Sequence, residues 1–150
     1  MARRFAFRLQ TVLNVRQLRE REAQRDVAAK SAEIARLDQL NEQTAEEITR
    51  QQATLLEAQQ RGELDPLELQ RGRAWIAHLR RTIATRQMQK AEFGEQLQDL
   101  QARLRDARTQ TRIIEKLRER RWGEYTRDRR RREQTESDDL ARQLQDFDRT

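Results

Sequence analysis

One stretch near the middle of the sequence decides the fold: Arg61-Gly62-Glu63-Leu64-Asp65-Pro66-Leu67-Glu68-Leu69. Gly62 suits the left-handed residue that ends a helix. Asp65 can cap a second helix, and Pro66 fits its first position because the N–H there has no helical partner. Glu68 can complete a capping box, and Leu64 and Leu69 are spaced for a hydrophobic staple. The stretch therefore predicts a turn over residues 61–65 between two helices.

Apolar residues recur every seven positions on both sides of this turn. The first half has Leu13, Val27, Ile34, Ile48 and Leu55 at heptad position a, with Ala23, Leu37 and Ala58 at position d. The second half has Leu69, Ile76, Ile83, Leu97 and Leu104 at a, with Leu79, Phe93, Leu100, Ala107 and Ile114 at d. Sustained heptads of this kind predict a coiled coil.

A short turn makes the two helices antiparallel neighbours. Centring the turn between residues 63 and 64 pairs a with d, as in Leu13 with Ile114, Val27 with Leu100, Ile34 with Phe93 and Ile48 with Leu79. We therefore predict an all-α fold, a long two-helix antiparallel coiled-coil hairpin in a single domain of residues 1–150. Helix one is expected over about residues 8–60 and helix two over about residues 66–140. Whether the hairpin closes within one chain or swaps between two is left open by the pattern.

Polar residues interrupt the apolar seam at three levels. Asn41 is expected to face Arg86, Leu37 to face Lys90, and Lys30 to face Leu97. Polar groups in a seam cost stability but can fix the register. For the two lysines we expect the stems to lie on apolar surface while the ammonium groups reach water.

The second helix is longer than the first, so residues after Tyr125 are expected to overhang the amino terminus. The overhang begins with Arg127 and the run Arg129–Arg132 and ends in an acidic tail, residues 133–150. Leu140, Leu144 and Phe147 have helical spacing in this tail but no partner in the chain. We expect the tail to be frayed or to become ordered only on binding.

Charge is distributed unevenly along the 150 residues. The chain has 32 Lys and Arg against 26 Asp and Glu, a net charge of +6. The basic excess lies in residues 1–25 and 112–132, and residues 133–150 are acidic. Because the hairpin brings the two basic segments together, we expect one strongly positive end. Such an end attracts acidic partners.

The composition excludes most enzyme chemistry. Hydrophobic residues make up 35% and charged residues 39%, which fits a thin coil with no substrate-sized cavity. There is no Cys, the only His is His78, and the four Gly are isolated, so neither a metal cluster nor a phosphate-binding loop is expected. We predict a non-enzyme with no cofactor, no metal and no small-molecule substrate. The start also lacks the apolar run of a secretory signal, which favours the cytoplasm.

Aromatic side chains mark two further positions. Trp75 falls on the flank of the seam, where it either covers the apolar seam or forms a partner-binding patch. Trp122 and Tyr125 lie among arginines near the open end, a combination that suits protein interfaces. Phe5 and Phe7 are expected to pack at that same end.

The two ends of the sequence also carry recognisable motifs. One is Phe5-Ala6-Phe7-Arg8-Leu9-Gln10-Thr11-Val12-Leu13-Asn14-Val15-Arg16, followed by Glu20-Arg21-Glu22-Ala23. The other is Glu115-Lys116-Leu117-Arg118-Glu119-Arg120-Arg121, followed by Glu124-Tyr125, Arg132-Glu133-Gln134 and Asp138-Asp139. Together these segments resemble the FliJ family, whose members are small components of the flagellar type III export apparatus.

The resemblance implies a fold and a set of partners. The fold would be similar to the gamma-subunit stalk of rotary ATPases, bound inside the hexameric export ATPase (FliI-like). The protein would promote assembly and activity of that ATPase and link it to the export gate (FlhA-like) and to export chaperones. It would be cytoplasmic and held at the inner membrane of the flagellar base through these partners. Its processes would be flagellum biogenesis, motility and chemotaxis.

The resemblance also points to contact residues. Those expected to bind the ATPase are Arg16, Arg19, Lys116, Arg118, Arg120 and Arg121, to which their aromatic neighbours Trp122 and Tyr125 are added. Those expected to bind the export gate lie along the arms and are Ile48, Gln52, Trp75 and Leu79.

Three other functions fit parts of the sequence. The closest is the equivalent stalk of a virulence type III secretion system, although the phenylalanine-rich start favours the flagellar version. Another is an Arg-rich coiled coil that binds nucleic-acid phosphates through residues 127–132. Few aromatic residues lie among these arginines and the sequence has no known nucleic-acid recognition motif, so support for this function is weak. The last is a purely structural coiled coil.

Overall fold

A computed structural model describes residues 3–63 and 65–150. In these ranges the chain forms two helices, α1 (Gln10–Gln60) and α2 (Pro66–Asp148), and no strand. The helices pack against each other, so the predicted all-α coiled-coil hairpin is confirmed.

The carboxyl end of α2 differs from the sequence prediction. The helix ends at Asp148, beyond the expected end near residue 140. Side-chain pairs one turn apart, Arg129 with Glu133 at 3.2 Å and Gln134 with Asp138 at 3.2 Å, support helical backbone there. The expected fraying of residues 133–150 stays a prediction.

The turn follows the local chemistry of its residues. Gly62 has φ +71°, and its N–H donates to the Gln59 carbonyl at 3.1 Å while the Glu63 N–H donates to the Ala58 carbonyl at 3.2 Å. This pair of bonds is a Schellman motif, which satisfies carbonyls at the end of α1. The Asp65 carbonyl accepts the Leu69 N–H at 3.0 Å, so Asp65 is the N-cap of α2. The expected staple through Leu64 lies outside the described residues.

The chain divides into two compact units. The terminal unit comprises Met1–Arg21 and Arg105–Thr150, and the turn unit comprises Glu22–Leu104. Each unit contains one segment of α1 and one segment of α2, so each contains its own length of the helix pair.

The core of the turn unit consists of heptad residues. Ile48, Ile76 and Leu79 are buried together, and the partly buried Leu55 and Ile83 pack against them. All of them were assigned to a or d from the sequence, and the cluster contains the expected pair of Ile48 and Leu79. Buried aliphatic side chains of this kind are the main stabilising term of a thin coil.

A glycine makes room for one of these side chains. A Cβ atom on Gly72 would lie 2.7 Å from a methyl carbon of Leu55, which is closer than van der Waals contact permits. Gly72 occupies position d, where the heptad pattern has an apolar side chain elsewhere. Its missing Cβ lets Leu55 fill the space between the helices near the turn.

The polar layers of the turn unit differ in detail from the prediction. Arg86 was expected to face Asn41, but its Nη1 donates to Thr44 Oγ1 at 2.8 Å and to the Leu40 carbonyl at 3.2 Å. The Asn41 Oδ1 is buried and has no hydrogen-bond partner among residues 3–63 and 65–150. Thr44, which is 8% exposed, lies about one turn after Asn41 on the same face of α1, and it is the residue that Arg86 reaches.

The two seam lysines also behave differently from each other. Lys90 reaches Asp38 at 2.7 Å, and both side chains stay about half exposed. Lys30 was expected to face Leu97 and to extend into water, but its Nζ lies 4.4 Å from the centre of the Phe93 ring. Its side chain is only 18% exposed and is paired with Glu33 at 3.0 Å. The aromatic face attracts the ammonium, which offsets part of its lost hydration.

Candidate functional site

Most of the positive charge of the protein lies in the terminal unit. This unit has 20 Lys and Arg against 12 Asp and Glu, a net charge of +8. The turn unit has 12 against 14, a net charge of −2. A separation of this size gives the terminal unit a potential that attracts acidic surfaces.

The terminal unit has a small core of its own. Leu13 and Ile114, a pair expected from the heptads, are both buried, as is Thr111. Arg16 Nη1 donates to the Gln110 carbonyl at 3.2 Å, and Arg108 lies 3.7 Å from Glu20. These contacts join α1 to α2 and hold the basic side chains on a defined scaffold.

An aromatic cluster fixes the segment that precedes α1. The Phe5 ring lies 5.0 Å from the Trp122 ring, edge to face, and 5.5 Å from the Tyr125 ring. Trp122 and Tyr125 are stacked at 5.6 Å, and the Tyr125 hydroxyl donates to the Arg3 carbonyl. Each aromatic pair contributes about 0.5–1.5 kcal/mol beyond the area that it buries. Phe5 therefore packs at this end as expected, and its ring partners are Trp122 and Tyr125.

A groove runs between this segment and α2. Phe5, Phe7, Leu117 and Tyr125 supply its apolar wall. Charged side chains from both segments surround it: Arg3, Arg4, Arg8, Arg121, Glu124, Asp128, Arg129, Arg132, Glu133 and Glu136. Aromatic surface among arginines is a composition found at protein interfaces, and it was anticipated from the sequence for this end of the chain.

All residues expected to bind the ATPase lie in the terminal unit, but they differ in accessibility. The exposed ones are Arg19, Lys116, Arg118, Arg120 and Arg121, and Trp122 is 50% exposed. Arg16 and Tyr125 are partly buried, and both are engaged in the contacts described above. The exposed residues are therefore the ones that can meet a partner directly, and the other two position the scaffold.

The residues expected to bind the export gate lie in the turn unit. Ile48 and Leu79 belong to its core at 8% and 6% exposure, because positions a and d face the other helix. Trp75 is 44% exposed and stacks on His78 with 5.4 Å between the ring centres. Gln52 is exposed and lines a shallow groove whose lining does not include Trp75. Direct contact is thus open only to Trp75 and Gln52.

The comparison with known families decides the identity of the chain. The FliJ family, described as Flagellar FliJ protein, matches residues 5–145. The chain belongs to the FliJ family. The match spans both end segments on which the sequence resemblance rests, so that resemblance is confirmed. The FliJ-family protein is accordingly a component of the flagellar export apparatus, and its family is non-enzymatic. No curated protein and no solved structure matches it.

The FliJ-family protein exposes apolar side chains that the sequence reasoning missed. In the terminal unit, Val12, Val15 and Leu18 of α1 are 37%, 44% and 52% exposed. In the turn unit, Leu56 is 56% exposed and lines the same groove as Gln52. The sequence does show these apolar residues outside positions a and d. Burial of the seam does not require apolar residues there, so their presence could have indicated an exposed apolar surface.

Two further features bear on chemistry. In the part of the FliJ-family protein that the structure describes, no three His, Cys, Asp or Glu side chains lie together as metal ligands would. Neither helix, over its described residues, is long and apolar enough to span a membrane.

Proposed function

We propose that this FliJ-family protein binds the hexameric export ATPase through its terminal unit and acts there as a central stalk that promotes ring assembly and turnover. The observation that carries the proposal is the +8 charge of the terminal unit, displayed by exposed arginines around an aromatic cluster. A ring interior lined with carboxylates would recognise this surface. Complementary potentials of that kind speed and orient docking.

The contact would centre on a short stretch of α2. Lys116, Arg118, Arg120 and Arg121 are exposed, and Arg121 alone among them pairs with a neighbouring carboxylate, Glu124 at 3.5 Å, within residues 3–63 and 65–150. Most of these side chains are available to a partner without breaking an internal ion pair. Trp122 adds half-exposed aromatic surface beside them, and such residues often dominate binding energy.

The turn unit would carry the second role, which is the link to the export gate. Its exposed Trp75 and Gln52 are the side chains we propose for gate contact, while Ile48 and Leu79 hold the helices that present them. Export chaperones complete the proposed partners. Through them the protein would act in the cytoplasm, at the inner membrane beneath the flagellum. Its effect on motility and chemotaxis would follow from flagellum assembly.

The family assignment supports a flagellar stalk over the virulence-type stalk, because the family is the flagellar one. A nucleic-acid-binding coil draws its support only from the exposed arginines of residues 127–132. Binding to an ATPase ring accounts for those charges equally well and also uses the half-exposed Trp122 ring.

Charge reversal in the terminal unit tests the proposal. The double variant Arg118→Glu with Arg121→Glu should bind the purified export ATPase at least about tenfold more weakly, which corresponds to about 1.4 kcal/mol. Arg36→Glu with Arg50→Glu is the matched control, since it makes the same charge change at exposed positions of the turn unit. Equal binding by the two variants would contradict the proposal.

A further inference from the structure

A groove on one flank of the turn unit combines apolar surface with arginine side chains. Leu55, Leu69 and Ile76 are its more buried lining residues, and Leu56 lines it with 56% of its surface exposed. The rest of the lining is exposed and consists of Gln52, Gln59, Arg73, Ala77 and Arg80. An exposed leucine beside partly buried core residues offers apolar surface to another molecule.

The groove lies along one flank of the seam, made by heptad positions e and b. Counting from position a at Leu55 and Ile76 puts Gln52, Gln59, Arg73 and Arg80 at e, and Leu56 and Ala77 at b. Trp75 falls at g, the other flank, which agrees with a lining that does not include it. The groove is therefore a different surface from the one on which Trp75 is exposed.

The charges that line this groove all have the same sign. Arg73 and Arg80 line it, and no carboxylate of the described residues does so. In a two-helix coil, charged residues at e and g typically pair across the helices. Here the e residues that α1 supplies to the groove are the neutral Gln52 and Gln59, and neither arginine joins an ion pair with any residue of 3–63 or 65–150. Both guanidinium groups are thus available to carboxylates of another molecule, which they can bind through two hydrogen bonds each.

The spacing of the lining residues defines what fits between the arginines. Arg73 and Arg80 are seven residues apart, which is about 10.5 Å along α2. Ala77 lies four residues after the first and three before the second, so all three share one face of the helix. Its small side chain leaves space between the two arginines, and Leu56 lines the same groove from α1. A large apolar side chain flanked by two acidic ones would match this arrangement.

We infer that the groove binds an acidic amphipathic helix of a partner protein. Apolar side chains of that helix pack on Leu56 and Ala77, and two of its carboxylates, seven residues apart, bind Arg73 and Arg80. A helix fits because its side chains return to one face every three or four residues, which is the spacing of Ala77 from each arginine. The carboxylates follow from charge complementarity, since the groove supplies arginine and no acid.

This inference goes beyond the proposed function and does not depend on it. It uses no residue of the terminal unit and does not use Trp75. Gln52 is shared with the surface proposed for the export gate, so it is left unchanged in the variants. The test contains neither the ATPase nor the gate protein, so a negative result would leave both proposed roles standing.

The test measures binding of the full chain to two synthetic helical peptides by fluorescence anisotropy. The first peptide carries two glutamates seven residues apart, with leucines between them on the same face, in an alanine-rich host held helical by a side-chain staple. The second has lysine in place of both glutamates. The glutamate peptide should bind at least about tenfold more tightly than the lysine peptide. This preference should shrink at about 1 M salt, where charges are screened.

Variants of the groove locate the binding. Arg73→Glu with Arg80→Glu should reverse the preference, so that the lysine peptide binds more tightly, and this gain also shows that the variant is folded. Arg71→Glu with Arg81→Glu is the matched control, because it makes the same charge change at exposed positions of α2 outside the groove. It should keep the preference of the native chain. Ala77→Phe fills the space between the arginines and should weaken binding of the glutamate peptide at least about tenfold, with unchanged helical circular dichroism.

Four results would overturn the inference. Three concern the peptides: equal affinity of the native chain for both, the same loss of preference in the control as in the Arg73 and Arg80 variant, or unchanged binding after Ala77→Phe. The fourth is self-association of the full chain that Leu56→Lys abolishes, because the groove would then be covered by a second copy and not by a partner helix.

Discussion

Removing the Phe5 ring should release the segment before α1 from α2. Phe5 makes two of the three ring pairs in the aromatic cluster, at 5.0 Å with Trp122 and 5.5 Å with Tyr125. At about 0.5–1.5 kcal/mol for each pair, Phe5→Ala forfeits about 1–3 kcal/mol. That loss increases the population of the detached segment about fivefold to more than a hundredfold. We therefore expect the change to be visible without any loss of the helices.

Trp122 reports this release directly. In a Trp75→Phe background, Trp122 is the only tryptophan, so Phe5→Ala should shift its emission to longer wavelength and make it easier to quench with acrylamide. Phe7→Ala is the matched control, because Phe7 lines the same groove but makes no ring pair with Trp122 among the described residues. Emission and quenching that respond equally to both changes would refute the role given to Phe5.

Three further perturbations test the fold and the site. Ile48→Ala should lower the free energy of unfolding, measured in urea, by about 2–5 kcal/mol because it leaves a cavity in the core. Leu56→Ala, the control at an exposed position, should change that free energy by no more than about 0.5 kcal/mol. Equal losses in the two variants would contradict the assigned core. Gly62→Ala should cost about 1–2 kcal/mol from its left-handed backbone alone, since nothing lies within 4 Å of its added Cβ, and an unchanged melting temperature would refute the Schellman turn. Trp75→Ala should weaken binding to the purified export gate at least about tenfold and leave ATPase binding unchanged, and loss of ATPase binding instead would place the two surfaces wrongly.

Sequence reasoning worked where the controlling interactions are local or periodic. The turn could be predicted because Gly62, Asp65 and Pro66 each favour one backbone conformation, whatever lies around them. The seam could be predicted because a seven-residue apolar repeat is buried when its a and d side chains face another helix along its whole length. The buried apolar residues, such as Leu13 and Ile114, all came from this repeat.

The polar contacts across the seam could not be predicted in the same way. Arg86 has a long side chain that could reach either Asn41 or Thr44. Its hydrogen bond to Thr44 depends on the directions of these side chains, which differ by less than one helical turn. Lys30 settles on the Phe93 ring for a similar reason, since position alone does not say which neighbour a flexible stem will reach. The heptad pattern therefore predicts which residues of the two helices face each other, whereas the side-chain rotamers of Arg86 and Lys30 depend on local packing.

The candidate site also contains features that could be predicted from the sequence and features that could not. The positive charge of the terminal unit could be predicted because charge is additive and this unit contains the Arg-rich residues 1–21 and 112–132. The gate residues were transferred from a family resemblance, and two of them, Ile48 and Leu79, also satisfy the heptad pattern. The heptad pattern predicts that these two side chains are buried between the helices. This prediction of burial is stronger than the gate-contact role implied by the family resemblance. The exposed stripe of Val12, Val15 and Leu18 was missed because it lies outside any repeat.

The most direct test of the stalk proposal is site-specific photo-cross-linking to the purified hexameric export ATPase. A photoreactive amino acid would replace Lys116 in the terminal unit or, in a second chain, Arg36 in the turn unit, both exposed positions. We expect cross-linking to the ATPase from position 116 and none from position 36, with the signal from position 116 falling as salt increases. Cross-linking from position 36 but not from position 116 would contradict it.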